Sequence, residues 1–333
     1  MKVRIVSTGS FLPAKLLRND ELGGQFPVSA LPLIEKKTGI LSRRHAEKNE
    51  PTSALAVQAA LMCLKKSGLP AEKVDALVLA TSTPDRLLPA TATKVAHAVG
   101  AHRAFAFDMN SVCSGSVFLL EIARSLIAGG SATNVLVVAA DTYSKFLNPA
   151  DFSTYPYFGD GAALLSSEDD REGLELLGSV LHSDGRGYDT ISIKAGGSEL
   201  PIASSTEQTD RFFRMNGRDV FDFATTKAPE IIKEALERFG IAKENVDSFI
   251  LHQANINILE RVATSLGVSP LRFFSNLQTI GNTAGASVLI ALDEYLDRPA
   301  PKREGAYVVA VAFGGGLSWG ASVLKLQMSL TGG

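Results

Sequence analysis

Four stretches of this chain carry residue types that could do chemistry. The first runs from Phe105 to Gly130, where an apolar run breaks into Asn110-Ser111-Val112-Cys113-Ser114-Gly115 and apolar residues then recur at Val117, Leu120, Ile122, Ala123 and Leu126. That period predicts a buried helix beginning just after Cys113 and stopped by Gly129-Gly130. Unpaired N–H groups and the positive end of the helix dipole favour a thiolate there, so Cys113 is expected to have a lowered pKa and to be nucleophilic near neutral pH. A small buried apolar cysteine is the competing possibility. The second stretch is His252-Gln253-Ala254-Asn255, directly after the apolar strand pattern ending at Leu251. Working residues of α/β sheets gather at such carboxyl strand ends, although a histidine bonded within the core would look the same. The third is Thr279-Ile280-Gly281-Asn282-Thr283-Ala284-Gly285-Ala286-Ser287, a Gly-punctuated turn opening a helix, with Asn282 placed to cap it. The fourth is Ala312-Phe313-Gly314-Gly315-Gly316-Leu317, where glycines end a buried strand and let backbone N–H groups approach a ligand.

Composition narrows the classes these stretches can serve. A chain of 333 residues, 45% hydrophobic and 20% charged, can bury one large core or two joined ones. A net charge of −2 gives no sign of a nucleic-acid partner. Two cysteines far apart, Cys63 and Cys113, with no CxxC, argue for a reducing compartment and against a disulfide framework or a metal site. Cys63 falls on the apolar face of a predicted helix, which suits core packing. The sequence shows neither a membrane-length apolar run nor a signal peptide, so a cytoplasmic protein is expected.

The elements that must position the four stretches alternate. Val3 to Thr8 reads as a strand, Leu12 to Thr38 as irregular chain, and Thr52 to Lys66 as an amphipathic helix. Val74 to Ala80 is a continuous apolar strand of the covered kind, followed by a helix from Ala90 to Val99, the Phe105 strand, the Cys113 helix and a strand from Asn134 to Ala140. This order is β-α-β-α-β, a parallel, helix-covered layout. The second half then repeats the first. Val74-Asp75-Ala76-Leu77-Val78-Leu79 matches Val246-Asp247-Ser248-Phe249-Ile250-Leu251, and Asn134 to Val138 matches Ala306 to Ala310, both 172 residues apart; Ser116-Val117-Phe118-Leu119 matches Ser287-Val288-Leu289-Ile290 at 171. A repeat this long is a duplicated domain, here residues 1–170 carrying the cysteine and 171–333 carrying His252 and Asn282. Two such α/β halves should pack about a pseudo-dyad, with their helix N-termini and strand ends converging on the interface.

In that order across a duplicated α/β chain, the four stretches resemble the thiolase-fold condensing enzymes, and within them the β-ketoacyl-acyl-carrier-protein synthase III family. The resemblance extends from Ile5-Val6-Ser7-Thr8-Gly9 through Phe158-Gly159-Asp160-Gly161-Ala162 to Trp319-Gly320. It implies a thiolase-like fold layered α-β-α-β-α, Cys113 as nucleophile with His252 and Asn282 as its partners, and an oxyanion hole from the N–H groups of Cys113 and Gly315. It also implies Claisen condensation of a Cys113-bound acyl group with a malonyl- or β-ketoacyl-carrier thioester, in fatty-acid or polyketide-type biosynthesis. No cofactor or metal is implied, because the substrates are phosphopantetheine thioesters on acyl carrier protein or coenzyme A. A homodimer is implied as well. Acyl transfer to another nucleophile, chain joining without decarboxylation, and a silent carrier-binding subunit are the alternatives. Degradative and biosynthetic thiolases have a second cysteine where this chain has Phe313-Gly314-Gly315-Gly316.

Phe313, Asn255, Leu88, Lys37, Phe152, Arg214 and Arg218 are the expected substrate contacts, with Arg211 a further candidate. The sequence also departs from the family's pattern. Leu33 and Phe152 stand where coenzyme-A-primed members sandwich the adenine between an aromatic residue and an arginine. Asn257, Thr264 and Ser265 replace basic residues of the family's anionic docking patch. The segment from Ala195 to Arg214 is the expected tunnel lid.

Overall fold

The computed structural model describes residues 2–169, 173–299 and 302–327. The expected boundary between the halves, at 170/171, lies outside the described residues. The amino-terminal part contains β1 (Val3–Phe11), β2 (Leu16–Arg18), α1 (Pro32–Thr38), β3 (Ser42–Arg44), α2 (Thr52–Ser67), β4 (Ala76–Ala80), α3 (Thr91–Val99), β5 (Phe105–Met109), α4 (Gly115–Ala128), β6 (Val135–Asp141) and β7 (Gly161–Asp169). The remainder contains β8 (Leu174–Ser183), β9 (Ile191–Ser192), β10 (Arg214–Met215), α5 (Gly217–Arg238), β11 (Val246–Leu251), α6 (Ile256–Leu266), α7 (Leu277–Ile280), α8 (Ser287–Asp297), β12 (Tyr307–Gly314) and β13 (Ser318–Lys325). Every residue of β4 and β6 is buried, as their unbroken apolar sequences require of strands covered on both faces.

The main strands form one sheet in the order β11-β12-β13-β8-β1-β7-β6-β4-β5. From β1 outward, the pairings through β7 and β6 to β4 run antiparallel, antiparallel, parallel. From β8 outward, those through β13 and β12 to β11 follow the same series. The two series meet antiparallel at Arg4↔Glu175 and Ile5↔Leu174. Even the place of β5 has an echo, a single parallel bridge between Phe249 and Phe273.

Helices cover this arrangement in layers. Helix α2 lies on β1, β6 and β7, and α3 on β4 and β5. Helices α4 and α8 fill the middle, α4 touching β4 and β6 as well as β8 and β13, and α8 touching β1 and β7 as well as β11 and β12. Helix α5 covers β12 and β13 from outside, with α6 packed against it. The succession is α-β-α-β-α, as the thiolase-like fold requires. Cys63 sits on α2 in the outer amino-terminal core, with no exposure to solvent. Leu12 to Thr38 is less irregular than its sequence suggests, since α1 forms at its end. Seven residues are too few to show a period, and the usable signals are Pro32 at the helix start and Gly39, whose φ of 79° closes it.

Candidate active site

The nucleophile turn and its later copy have the same backbone. Val112 and Ala284, 172 residues apart, both have φ of 47°, in the left-handed region that a non-glycine residue rarely enters. Each leads through a tight turn into a central helix, α4 after Cys113 and α8 after Gly285. Gly314, at the end of β12, closes over the first turn: a Cβ there would stand 2.8 Å from the Cys113 nitrogen, so only glycine permits the approach. Gly315 lies one residue on and faces Val112 and Ile191.

Beneath the two turns sits Asp141, fully buried at the end of β6. It accepts hydrogen bonds from the Ser82 N–H (2.9 Å), the Ser82, Thr83 and Thr81 hydroxyls (3.0, 3.1 and 3.3 Å) and the Gly285 N–H (3.0 Å). Burial nevertheless raises its pKa to about 6. Burial first, and this carboxylate second, push the Cys113 thiol well above its ordinary value. The expected resting thiolate is therefore corrected. The helix end is where the sequence predicts it, but desolvation of a charged sulfur outweighs it.

His252 follows β11, its N–H donating to the Val311 carbonyl at 2.8 Å. Its Nδ1 is 2.6 Å from the Ser287 hydroxyl oxygen, and its ring meets Phe313 edge to face at 5.4 Å. Burial lowers its pKa to about 3, so it is neutral across the physiological range. Asn282 is clamped on both sides: its N–H donates to Tyr157, its carbonyl accepts from Gly159, and its Oδ1 accepts the Ala284 N–H at 2.9 Å. The side chain thus closes a local turn ahead of α8 instead of capping that helix, and among the described residues the amide nitrogen has no recognised partner and can serve a ligand.

Cys113, His252, Asn282 and Phe313 line one cavity of about 310 Å³. Lys37 and Asn255 line it too, so the structure brings the three expected catalytic residues together with three of the seven expected substrate contacts. Asn255 also caps α6, accepting from the Asn257 N–H at 2.9 Å. The others are placed differently. Arg214 is exposed and 3.4 Å from Asp210, and Arg218 is exposed on the first turn of α5, next to the lining residue Gly217. Arg211 is also exposed. Phe152 is half-buried with its ring edge-on to Phe26 at 5.1 Å, one residue from the lining Ser153, while Leu33 is exposed on α1. Leu88, 79% exposed, is on the loop after β4 and does not line the cavity. A shallow groove lined by Phe221, Asn257, Glu260, Arg261, Thr264 and Ser265 adjoins the cavity at Phe221.

Sequence patterns missed several contributors. The cavity wall includes Ile191 and Met215 on the small β9–β10 ribbon, on either side of the expected lid, and Phe213 near that lid's end. Two of the lining rings, Phe158 and Phe213, pack against Tyr143 and each other at 5.0–5.2 Å in one cluster with Cys113. Asp141 carried one signal, a lone acid ending an apolar strand. Ser287 carried none beyond its place in the repeat. Among the described residues no group of His, Cys, Asp and Glu could hold a metal ion, and no helix is long and apolar enough to cross a membrane.

With this geometry, comparison with known proteins is informative. Residues 107–185 match the family described as 3-Oxoacyl-[acyl-carrier-protein (ACP)] synthase III, and residues 236–326 match that family's C-terminal part. The chain is 39% identical over 325 residues to a beta-ketoacyl-[acyl-carrier-protein] synthase III of Clostridium perfringens, covering 97% of this chain and 99% of the relative. The solved 3-oxoacyl-(acyl carrier protein) synthase III of Pseudomonas aeruginosa superposes with a TM-score of 0.89 at 36% identity, over 99% of this chain and all of the other. The priming beta-ketosynthase of the R1128 polyketide biosynthetic pathway superposes with a TM-score of 0.89 at 28% identity, over 98% and 96% of the two chains.

Proposed function

The chain belongs to the 3-oxoacyl-[acyl-carrier-protein] synthase III family, and from that membership we propose how its own residues perform the condensation. It is a condensing enzyme of the acyltransferase class, acting in fatty-acid or polyketide biosynthesis. The proposal rests above all on one observation: Cys113 from one half and His252, Asn282 and Phe313 from the other line a single cavity.

In the first half-reaction the Cys113 sulfur attacks the carbonyl carbon of an acyl thioester. The bond from that carbon to the carrier sulfur breaks, and the thiol proton ends on the departing sulfur. One thioester replaces another, so little free energy separates the two sides. The Cys113 and Gly315 N–H groups hold the transient oxyanion. In the second half-reaction a malonyl thioester occupies the emptied arm site, with Lys37, Asn255, Arg214, Arg218 and Phe152 near its entrance. Its carboxylate leaves as carbon dioxide, and the electron pair of the broken C–C bond becomes an enolate. Neutral His252 and the Asn282 amide donate hydrogen bonds to the enolate oxygen, whereas a carboxylate in place of the amide would repel it. Phe313 keeps the departing carboxylate out of water. The enolate carbon then attacks the acyl carbon and breaks its bond to the Cys113 sulfur, which leaves as a thiolate and takes a proton from solvent to restore the resting thiol.

The acyl donor and extender are carried on acyl carrier protein or coenzyme A, and the reaction uses no further cofactor. A homodimer is supported by β5, the last strand of the sheet, whose outer edge is unpaired among the described residues and which exposes Phe105 and Phe107 at 44% and 37%. Leu87 and Leu88 add exposed apolar surface on the loop leading to α3, whose first N–H groups bind Asp108 of β5. Two buried cysteines outside any disulfide suit a cytoplasmic setting.

The test is single-turnover release of carbon dioxide from a malonyl thioester by preformed acyl enzyme. Stoichiometric carbon dioxide and β-ketoacyl product are expected. An acyl enzyme that transfers its acyl group, or joins a second β-ketoacyl chain, without carbon dioxide would replace decarboxylative condensation with one of the alternatives.

A further inference from the structure

The Ser287 hydroxyl is buried at the first residue of α8, with 1% of the residue exposed, and its oxygen has two neighbours. One is the Gln253 N–H at 3.4 Å, which can only donate. The other is His252 Nδ1 at 2.6 Å, which can give or take a proton. A hydroxyl has one hydrogen, and among the described residues His252 Nδ1 is the one acceptor within its reach. If Nδ1 carried the proton instead, the hydroxyl hydrogen would be buried without an acceptor, an arrangement that burial penalises. We propose that Ser287 is a positioning residue that donates to His252 Nδ1, fixes the neutral ring with its hydrogen on Nε2, and so aims a donor at the substrate carbonyl.

The duplicated half shows the same two positions facing each other. Gly115, the first residue of α4, holds the place of Ser287, and Ala80 holds that of His252, both 172 residues earlier. A Cβ on Gly115 would stand 2.9 Å from the Ala80 Cβ. The helix start therefore carries a hydroxyl where a histidine faces it and no side chain where an alanine does. Other groups facing the His252 ring do not compete for Nδ1. Phe313 is apolar and meets the ring edge to face. Burial alone lowers the His252 pKa, with no charged neighbour contributing, so no carboxylate fixes the tautomer in place of Ser287.

This inference rests on the enolate-stabilising role given to His252, and the experiment separates the two. Wild-type enzyme is first acylated and shown to condense; failure there overturns the function, while ¹⁵N–¹H correlation spectra of histidine-labelled protein still read the tautomer directly and decide the role of the serine. With five histidines in the chain, His252 is assigned by its loss in His252→Gln. The wild-type spectrum should show the hydrogen on Nε2, and a hydrogen on Nδ1 overturns the proposal whatever the activity. Ser287→Ala should form acyl-Cys113 to the wild-type extent, lose about 10- to 100-fold in the kcat of condensation, by analogy with the loss when an orienting partner is removed from a metal-bound histidine, and show a mixture of tautomers. Ser287→Thr, which keeps the hydroxyl, should restore both rate and spectrum. Equal losses in acylation and condensation, or normal condensation by Ser287→Ala, would reject it.

Discussion

Replacing Asn282 by aspartate reverses the chemistry at one atom while keeping the local turn. Asn282 Oδ1 already accepts the Ala284 N–H at 2.9 Å, so the atom that can serve the substrate is the amide nitrogen. In Asn282→Asp a carboxylate oxygen still accepts from Ala284, but the donor becomes a second acceptor. Losing one donor to a developing oxyanion costs about 2.7–4 kcal/mol, or about 10²- to 10³-fold. A carboxylate about 4 Å from the enolate adds like-charge repulsion of about 4 kcal/mol at an effective dielectric constant of about 20. The introduced group can escape part of that by taking up a proton, which sets the expected loss at pH 7.5 at about 10³-fold or more. Asn282→Ala should lose about 10²- to 10³-fold without the added repulsion. Because a protonated carboxyl is again a donor, Asn282→Asp should recover activity as pH falls, whereas Asn282→Ala should not. The assay preforms acyl-Cys113, confirmed by intact mass, and follows β-ketoacyl product over one turnover. Condensation by Asn282→Asp within tenfold of wild type at pH 7.5, or an equal loss of acylation, would refute the reasoning.

Other expectations concern the thiol, the carrier and the sheet edge. Since burial and Asp141 raise the Cys113 thiol, its alkylation by iodoacetamide should climb steadily from pH 7 to 9 with no plateau, yet still precede labelling of Cys63 in the core of α2; a midpoint below pH 7 would contradict this. With Leu33 and Phe152 in place of an adenine clamp, coenzyme A recognition should be weaker by about one to three orders of magnitude. Acylation from acyl carrier protein should then exceed that from the matching coenzyme A thioester, mainly through KM, and equal or higher kcat/KM with coenzyme A would overturn it. Phe107→Lys, which puts a charge on the exposed edge of β5, should shift the mass measured by light scattering from dimer toward monomer; an unchanged dimer places the interface elsewhere.

Much of the fold was legible because the halves repeat. The strands β4 and β6 and the helix after Cys113 announce themselves by continuous burial or period, and their spacing against β11, β12 and α8 gives the second half. Cys113, His252 and Asn282 were legible because each stands at a break between such elements. What the sequence could not give was acidity. A helix N-terminus favours a thiolate, but the cost of burying it, and the Asp141 carboxylate supplied from β6, depend on packing that no local pattern contains. Contacts between elements distant in sequence were equally hidden. Ser287 looks like one more small helix-start residue until His252, 35 positions earlier, is seen against it.

The central claim is that Cys113 carries the acyl group between two thioesters, and intact mass with peptide mapping tests it most directly. Incubated with an acyl-carrier thioester, the wild-type chain should gain the mass of one acyl group on the peptide containing Cys113. Addition of malonyl-carrier thioester should remove that mass as β-ketoacyl product appears, and Cys113→Ala should never acquire it. An acyl group that maps to another residue, persists in Cys113→Ala, or stays in place when the malonyl thioester is added would contradict the account.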